Sequence, residues 1–243
     1  MPHVDSETLA SDKDWRVRLS LPTSNGSLYN DAGSAVMHPL KKTNGLIFPY
    51  TPTISTQYTA SYESYQLIHS NYLGYFYKGS SIQSIVINGT FTAQDAHEAE
   101  YMLAGLHFLR SATKMFYGQD SQRGTPPPVL LLSGFGKYQY NNNPCVVSLM
   151  SYNLPNDVDY IATDPIKGSA TDVFHYSAST GRLVGAGLAG GGGGGSNSSE
   201  KTYVPTKIDV NITLLPVQTR KQVSTEFSLK DYASGTLLTK GFW

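Results

Sequence analysis

The sequence predicts a mainly β protein, an antiparallel sandwich or barrel with one α-helix at its side. Three observations carry that prediction. Residues 207–214 alternate strictly, with Ile208, Val210, Ile212 and Leu214 on one face and Lys207, Asp209, Asn211 and Thr213 on the other, which is the period of a half-buried strand. A sustained helical spacing of apolar residues stands out in one stretch, from Thr92 towards Gly118. Between Thr43 and Tyr77 the single formally charged residue is Glu63, among nine aromatics and many Ser and Thr, a composition that favours extended strands.

Taken in order, the first strand is Trp15 to Leu21, with Trp15, Val17, Leu19 and Leu21 on one face and Arg16, Arg18 and Ser20 on the other. Pro22 ends it, and the Ser-, Asn- and Gly-rich run that follows reads as a loop or as an arm that orders on a partner. The aromatic stretch comes next, either a sheet packed by its own rings or a sheet surface covered by neighbouring subunits, since it holds too few charges to face water alone. A further strand spans Ile82 to Asn88, with Asn88 and Gly89 as its closing turn.

The helix is expected to begin at Thr92, where Thr92 to Asp95 approximates a capping box. Ala96, Ala99, Leu103, Leu106 and Leu109 or Phe108 form its apolar stripe, running on towards Met115 and Tyr117, with Gly118 as the stop. Pro128 to Leu132 reads as a strand, residues 133–143 as a turn region and Pro144 to Met150 as a buried strand. Residues 181–199, with six consecutive glycines at 190–195, form a low-complexity insertion that cannot pack. Val204 to Pro216 closes the fold, and the chain ends on Phe242 and Trp243, an apolar pair suited to docking. This divides the chain into an N-terminal arm (1–44), a β domain (45–220) and a C-terminal tail (221–243).

Composition narrows the function. Lys and Arg number 18 against 18 Asp and Glu, so no overall basic field exists to hold nucleic acid through its phosphates. Only 15% of residues are charged, against about 25% in an ordinary soluble domain, which points to self-association. Cys145 is the one cysteine and cannot make an internal disulfide. The N-terminus has neither a basic nor an apolar leader region and no apolar run approaches the length of a membrane span, so a reducing cytoplasmic setting without membrane contact is expected.

No catalytic constellation emerges. His97 and Glu98 begin the zinc-peptidase pattern HExxH, but Tyr101 stands where the second imidazole is needed. Ser133 to Lys137 holds a fragment of a phosphate loop with the wrong spacing and Tyr138 in place of Ser or Thr, so a glycine-bearing hairpin turn is expected. Cys145 lies in an apolar strand pattern, where a thiol is inert. Asp157 and Asp159 look like turn and strand-flank residues rather than a glycosidase pair. Arg16 with Arg18, Lys41 with Lys42 and Arg220 with Lys221 are isolated basic pairs, not a stripe. The expectation is an architectural protein, not an enzyme, with no metal and no cofactor.

The order of short motifs carries a resemblance. A strand ending in Asn88 to Thr92 feeds the helix, Asn143 to Ser148 forms a later strand, and Val204 to Leu214 closes the series. This resembles the baseplate-to-tail-tube junction proteins, the tube initiators of contractile-tailed bacteriophages, over about residues 45–220 apart from the insertion. The resemblance implies a tail-tube fold, six copies closing into a hexameric ring whose strands join into a continuous barrel, and a structural virion role in the tail baseplate after assembly in the host cytoplasm. The implied partners are the chain itself, the tail tube protein, the baseplate hub or a second junction protein and the tape measure protein, with DNA only in transit.

On that basis Lys207, Asp209, Asn211 and Thr213 are candidates to face the lumen. Trp15, Val17, Leu19, Tyr58, Tyr62, Tyr65, Phe242 and Trp243 are candidates for contacts between subunits or rings. Two alternatives stay open: the major tail tube protein itself, and a receptor- or glycan-binding β-sandwich of a phage.

Overall fold

The computed structural model describes residues 14–22, 36–118, 120, 123–163 and 201–242, and the backbone alone of 175–177 and 182–184. Seven strands form one antiparallel sheet: β1 (Arg18–Ser20), β2 (Leu46–Ile47), β3 (Thr53–Tyr65), β4 (Gly74–Thr92), β5 (Leu130–Gly134), β6 (Tyr140–Tyr152) and β11 (Lys207–Pro216), in the spatial order β2-β1-β5-β6-β11-β4-β3. Two small ladders accompany it, β7 (Tyr160–Thr163) with β10 (Thr202–Pro205), and β8 (His175–Ser177) with β9 (Arg182–Val184). The helices are α1 (Pro39–Thr43), α2 (Ala96–Ala112), α3 (Arg220–Thr225) and α4 (Leu229–Ala233). The chain is mainly β, as expected. The sheet is open: its edges are β2 and β3, and no barrel closes within one chain among the described residues.

The period-two pattern of β11 sets the centre of the fold. Ile208, Val210, Ile212 and Leu214 are buried and lie opposite Phe91, Gly89, Ile87 and Ile85 of β4. Alternate residues of one strand thus meet alternate residues of the next, and a one-residue slip would turn both apolar sets to water. Cys145 and Val147 of β6, Leu130 and Leu132 of β5, and Val17 and Leu19 beside them extend the same buried face. Against it lies α2, which touches β4 and β6 and also the β7–β10 ladder. A helix with a two-stranded ladder therefore stands where a sandwich would place a second large sheet.

The helix starts later than expected. Thr92 still belongs to β4, paired with Lys207, and the Ala93 N–H donates to the Thr206 carbonyl at 2.8 Å. Only beyond that bond can the chain turn. Asp95 is the N-cap, its carboxylate accepting from the Glu98 N–H at 2.8 Å, while Glu98 accepts from the Gln94 N–H. The helix ends at Ala112 with Thr113 as its C-cap, short of Met115, Tyr117 and Gly118. Its buried face includes Ala99, Leu106, Phe108 and Leu109, but also Met102, Ala104 and Gly105, whereas Ala96 is exposed. At Gly105 a Cβ would stand 2.8 Å from Leu46 Cδ1, so the missing side chain sets how closely helix and β2 approach.

Asn88 and Gly89 are not a turn. They lie inside β4, because Phe48 covers Gly89 with its ring, and a Cβ there would come within 2.6 Å of it. The Ser133 to Lys137 segment does lie at the β5–β6 hairpin, with Phe135 and Gly136 at positive φ. The run after Pro22 is not all loop, since Leu40 of α1 is buried and Gly45 (φ +124°) fits where a Cβ would meet the Leu19 carbonyl. The six glycines at 190–195 lie outside the described residues.

Candidate subunit interface

The sheet has two unlike surfaces that the described chain leaves largely exposed. One is a long arm. Strand β4 pairs with β11 only from Ile85 onwards, so Gly74 to Ser84, about 35 Å at about 3.3 Å per residue, extends past that ladder paired only with β3. The arm carries Tyr58, Tyr62, Tyr65, Tyr75, Phe76 and Tyr77, all between 40 and 64% exposed, and a tip with Leu67, Ile68 and Tyr72.

Register explains why both faces of the arm are aromatic. Tyr62 lies opposite Tyr77 with ring centroids 5.7 Å apart, edge to face. On the other face Tyr65 stacks on Phe76 at 4.5 Å, and Tyr65 covers Gly74, where a Cβ would overlap its ring. A ribbon with rings on both faces has no side to turn to a core of its own. The formal charges on the arm strands are Glu63 and Lys78, and they pair with each other at 3.2 Å. Tyr58 sits at the root, where partial burial, and after it the neighbouring Tyr232 of α4, raise its pKa.

The second surface is the open face of the sheet. Lys207, Asp209, Asn211 and Thr213 all point there, as their alternation predicts. The Thr90 hydroxyl donates to Asp209 at 2.6 Å, the Asn211 amide to the Asn88 side-chain oxygen at 2.6 Å, and the Ser148 hydroxyl to the Thr213 carbonyl at 3.0 Å. Thr53, Asn88, Thr90, Ser151, Asp209 and Asn211 line a shallow trough of about 340 Å³. Its donors and acceptors largely satisfy one another, so it is polar without a concentrated charge.

The terminal candidates divide. Trp15 is 54% exposed and remains available, touching Phe135 at 6.4 Å between ring centroids. Val17 and Leu19 are a correction: at 2% and 0% exposure they belong to the chain's own core, because β1 lies between β2 and β5 inside the sheet rather than in a separate arm. Phe242 is also corrected. It is buried against its own chain, with its carbonyl accepting from the Asn143 amide at 3.1 Å, while Gln218 donates to the Gly241 carbonyl. The tail does dock, but on itself. Trp243 lies outside the described residues.

Beside β1, Asp14 accepts from the Arg16 and Arg18 guanidinium groups at 2.9 and 3.2 Å, and the Arg16 hydrogen bond is the main cause holding its carboxyl below the ordinary value. Cys145 is buried and its thiol is pushed up to about 12 by burial. Tyr101, in the place of the missing second histidine of HExxH, accepts the Ile47 N–H at 2.8 Å and so ties α2 to β2. His97 is exposed, and no cluster of three metal-ligating side chains occurs among the described residues. No described helix is long and apolar enough to cross a membrane.

Sequence reasoning counted Tyr75, Phe76 and Tyr77 in an aromatic stretch that neighbours could cover, but named only Tyr58, Tyr62 and Tyr65 as contact residues and left Leu67 and Ile68 out. The signal was present: with Tyr65 opposite Gly74, the two aromatic clusters become strands of one hairpin. No known family model matches the chain, and no curated protein matches it by sequence.

Proposed function

We propose that this chain is a structural ring-forming protein of a bacteriophage tail, a baseplate-to-tube junction that caps the hub and templates the tail tube around a lumen for DNA. The observation that carries the reading is the arm, a charge-poor, two-faced aromatic ribbon on a chain whose other sheet face is polar and open. In six copies the arm of each would lie on the body of the next, removing its rings from water, and the face with Asp209, Asn211 and Thr213 would turn inward. A polar lining without a basic stripe suits DNA that must pass without being held, since each fixed phosphate contact would slow it.

The unequal edges of the sheet refine how such a ring would close. β3 offers 13 residues and β2 only two, so strand-to-strand bonding between β3 and a neighbour's β2 would be short. Side chains of the arm would supply most of the contact. Gel filtration with negative-stain microscopy of the purified chain tests this: hexameric rings are expected, long tubes formed by the chain alone would assign it to the main tube instead, and a monomer under all conditions would overturn the ring.

A further inference from the structure

We propose that two copies of this chain pair edge to edge through β3, antiparallel about a two-fold axis near Thr59, giving a continuous sheet across both. This goes beyond the ring and does not depend on it. The ring would cover the faces of the arm, and the pairing covers its edge.

An exposed edge strand is usually protected by a proline, a lysine, a bulge or a covering segment. Among the described residues β3 has none of the first three, and α4 reaches it at its root, where Tyr232 meets Tyr58. The strand contains neither Pro nor Lys, and its one charge, Glu63, is paired with Lys78. Both irregularities of the β3–β4 ladder place the extra residue on β4, at the steps opposite Thr56/Tyr58 and Ser61/Tyr62, so β3 itself stays regular. The opposite sheet edge cannot serve as its mate, because β2 is two residues long. The outer edge of β4 from Gly74 to Ser84 is also free, but it carries both bulges and Lys78, so among the described residues the long regular edge that fits β3 is a second β3.

The residue order is self-complementary about Thr59. Antiparallel pairing there sets Tyr58 opposite Ala60, Tyr62 opposite Thr56, Tyr65 opposite Thr53 and Glu63 opposite Ser55 of the second copy. Every large ring meets a small side chain and no like charges face each other, the two conditions that favour a cross-strand pair. The edge is about 43 Å long at about 3.3 Å per residue, and across a sheet about 10 Å thick that is roughly 400 Å² per copy. An interface of that size is reversible, so the pair would form and part as partners compete for the arm.

Single-cysteine substitution tests this on the full chain, because Cys145 is buried and does not compete for oxidant. At the axis a residue meets its own copy with Cα atoms about 4.5–5.5 Å apart, within disulfide range. Thr59→Cys should therefore give a disulfide-linked dimer under mild oxidation. Ser55→Cys and Glu63→Cys should each fail alone but cross-link when mixed. Dimers at all three positions alone would mean parallel in-register contact and overturn the pairing, as would no cross-link at Thr59 and none in the mixture. Circular dichroism of each variant confirms that it is folded. Hexamers without these cross-links would leave the ring standing and remove the pairing; cross-linked dimers that never grow further would do the reverse.

Discussion

One strand, β4, runs through two environments. From Ile85 to Thr92 it alternates cleanly, with Ile85, Ile87 and Phe91 buried against β11 and the helix, and Val86, Asn88 and Thr90 turned outward. From Gly74 to Ser84 the same strand has only β3 beside it, and Tyr75, Phe76 and Tyr77 follow one another with all three exposed. The first half is stabilised within the chain. The second leaves large apolar area in water, the kind of patch that marks an interaction surface.

The sharpest way to break that comparison is to remove a large side chain from each half. Phe108→Ala, beneath the body, should cost about 3–5 kcal/mol in urea denaturation, a large share of the roughly 5–15 kcal/mol that an ordinary domain has. Tyr62→Ala in the arm should change monomer stability by less than about 1 kcal/mol, yet abolish any higher oligomer seen by gel filtration. Equal losses of stability would show that the arm packs in the monomer after all.

Two of the glycines of β4 offer a matched test. At Gly89 an added Cβ meets the Phe48 ring at 2.6 Å, and at Gly79 it meets nothing within 4 Å. Gly89→Ala should destabilise by about 1–3 kcal/mol as Phe48 is forced to shift. Gly79→Ala should be neutral or stabilise by about 0.5–1 kcal/mol, because a strand glycine gives up more freedom on folding. The midpoint of thermal unfolding should fall for Gly89→Ala and hold or rise for Gly79→Ala.

Asn143→Ala probes how the tail is held. Its amide donates to the Phe242 carbonyl and its side-chain oxygen accepts from the Asn141 N–H, so a loss of about 1–3 kcal/mol is expected, together with faster proteolysis after residue 217. The smallest effect concerns Cys145. Burial raises its folded pKa to about 12 from an ordinary 9.0, so the folded state holds the proton more tightly. That contribution is complete below pH 9 and declines as pH rises from there towards 12. Alkylation at pH 8 should be negligible in the folded chain and rapid in urea.

Much of the body was legible in the sequence. The alternation at 207–214 assigned the inward and outward residues of β11 correctly as far as Leu214, and the β5–β6 hairpin was visible, although residues 133–143, read as a turn region, include the end of β5 and the start of β6 from Tyr140. The strand Trp15 to Leu21 showed its faces, though Trp15 lies outside the buried set because it precedes the ladder, which begins at Arg18. Asn88 and Gly89 misled because the pair has the chemistry of a turn, and only a distant ring, that of Phe48, shows why the glycine belongs in a strand. Helix onset was misplaced for a related reason: Thr92 is a good cap by residue type, but a ladder bond to the Lys207 strand holds it extended.

What the sequence determined by itself is the class of the chain: mainly β, antiparallel, one main helix, short of charge and aromatic in one place. Local periodicity and composition suffice for that, since they depend on neighbours two to four residues away. Tertiary structure decided which apolar residues are used internally and which are left over. Val17, Leu19 and Phe242 are as apolar as the arm's tyrosines, yet they are covered by strands and amides far away in sequence. The arm is not, because β4 outruns β11, and the lengths of two strands separated by more than 100 residues can be compared only once they lie side by side.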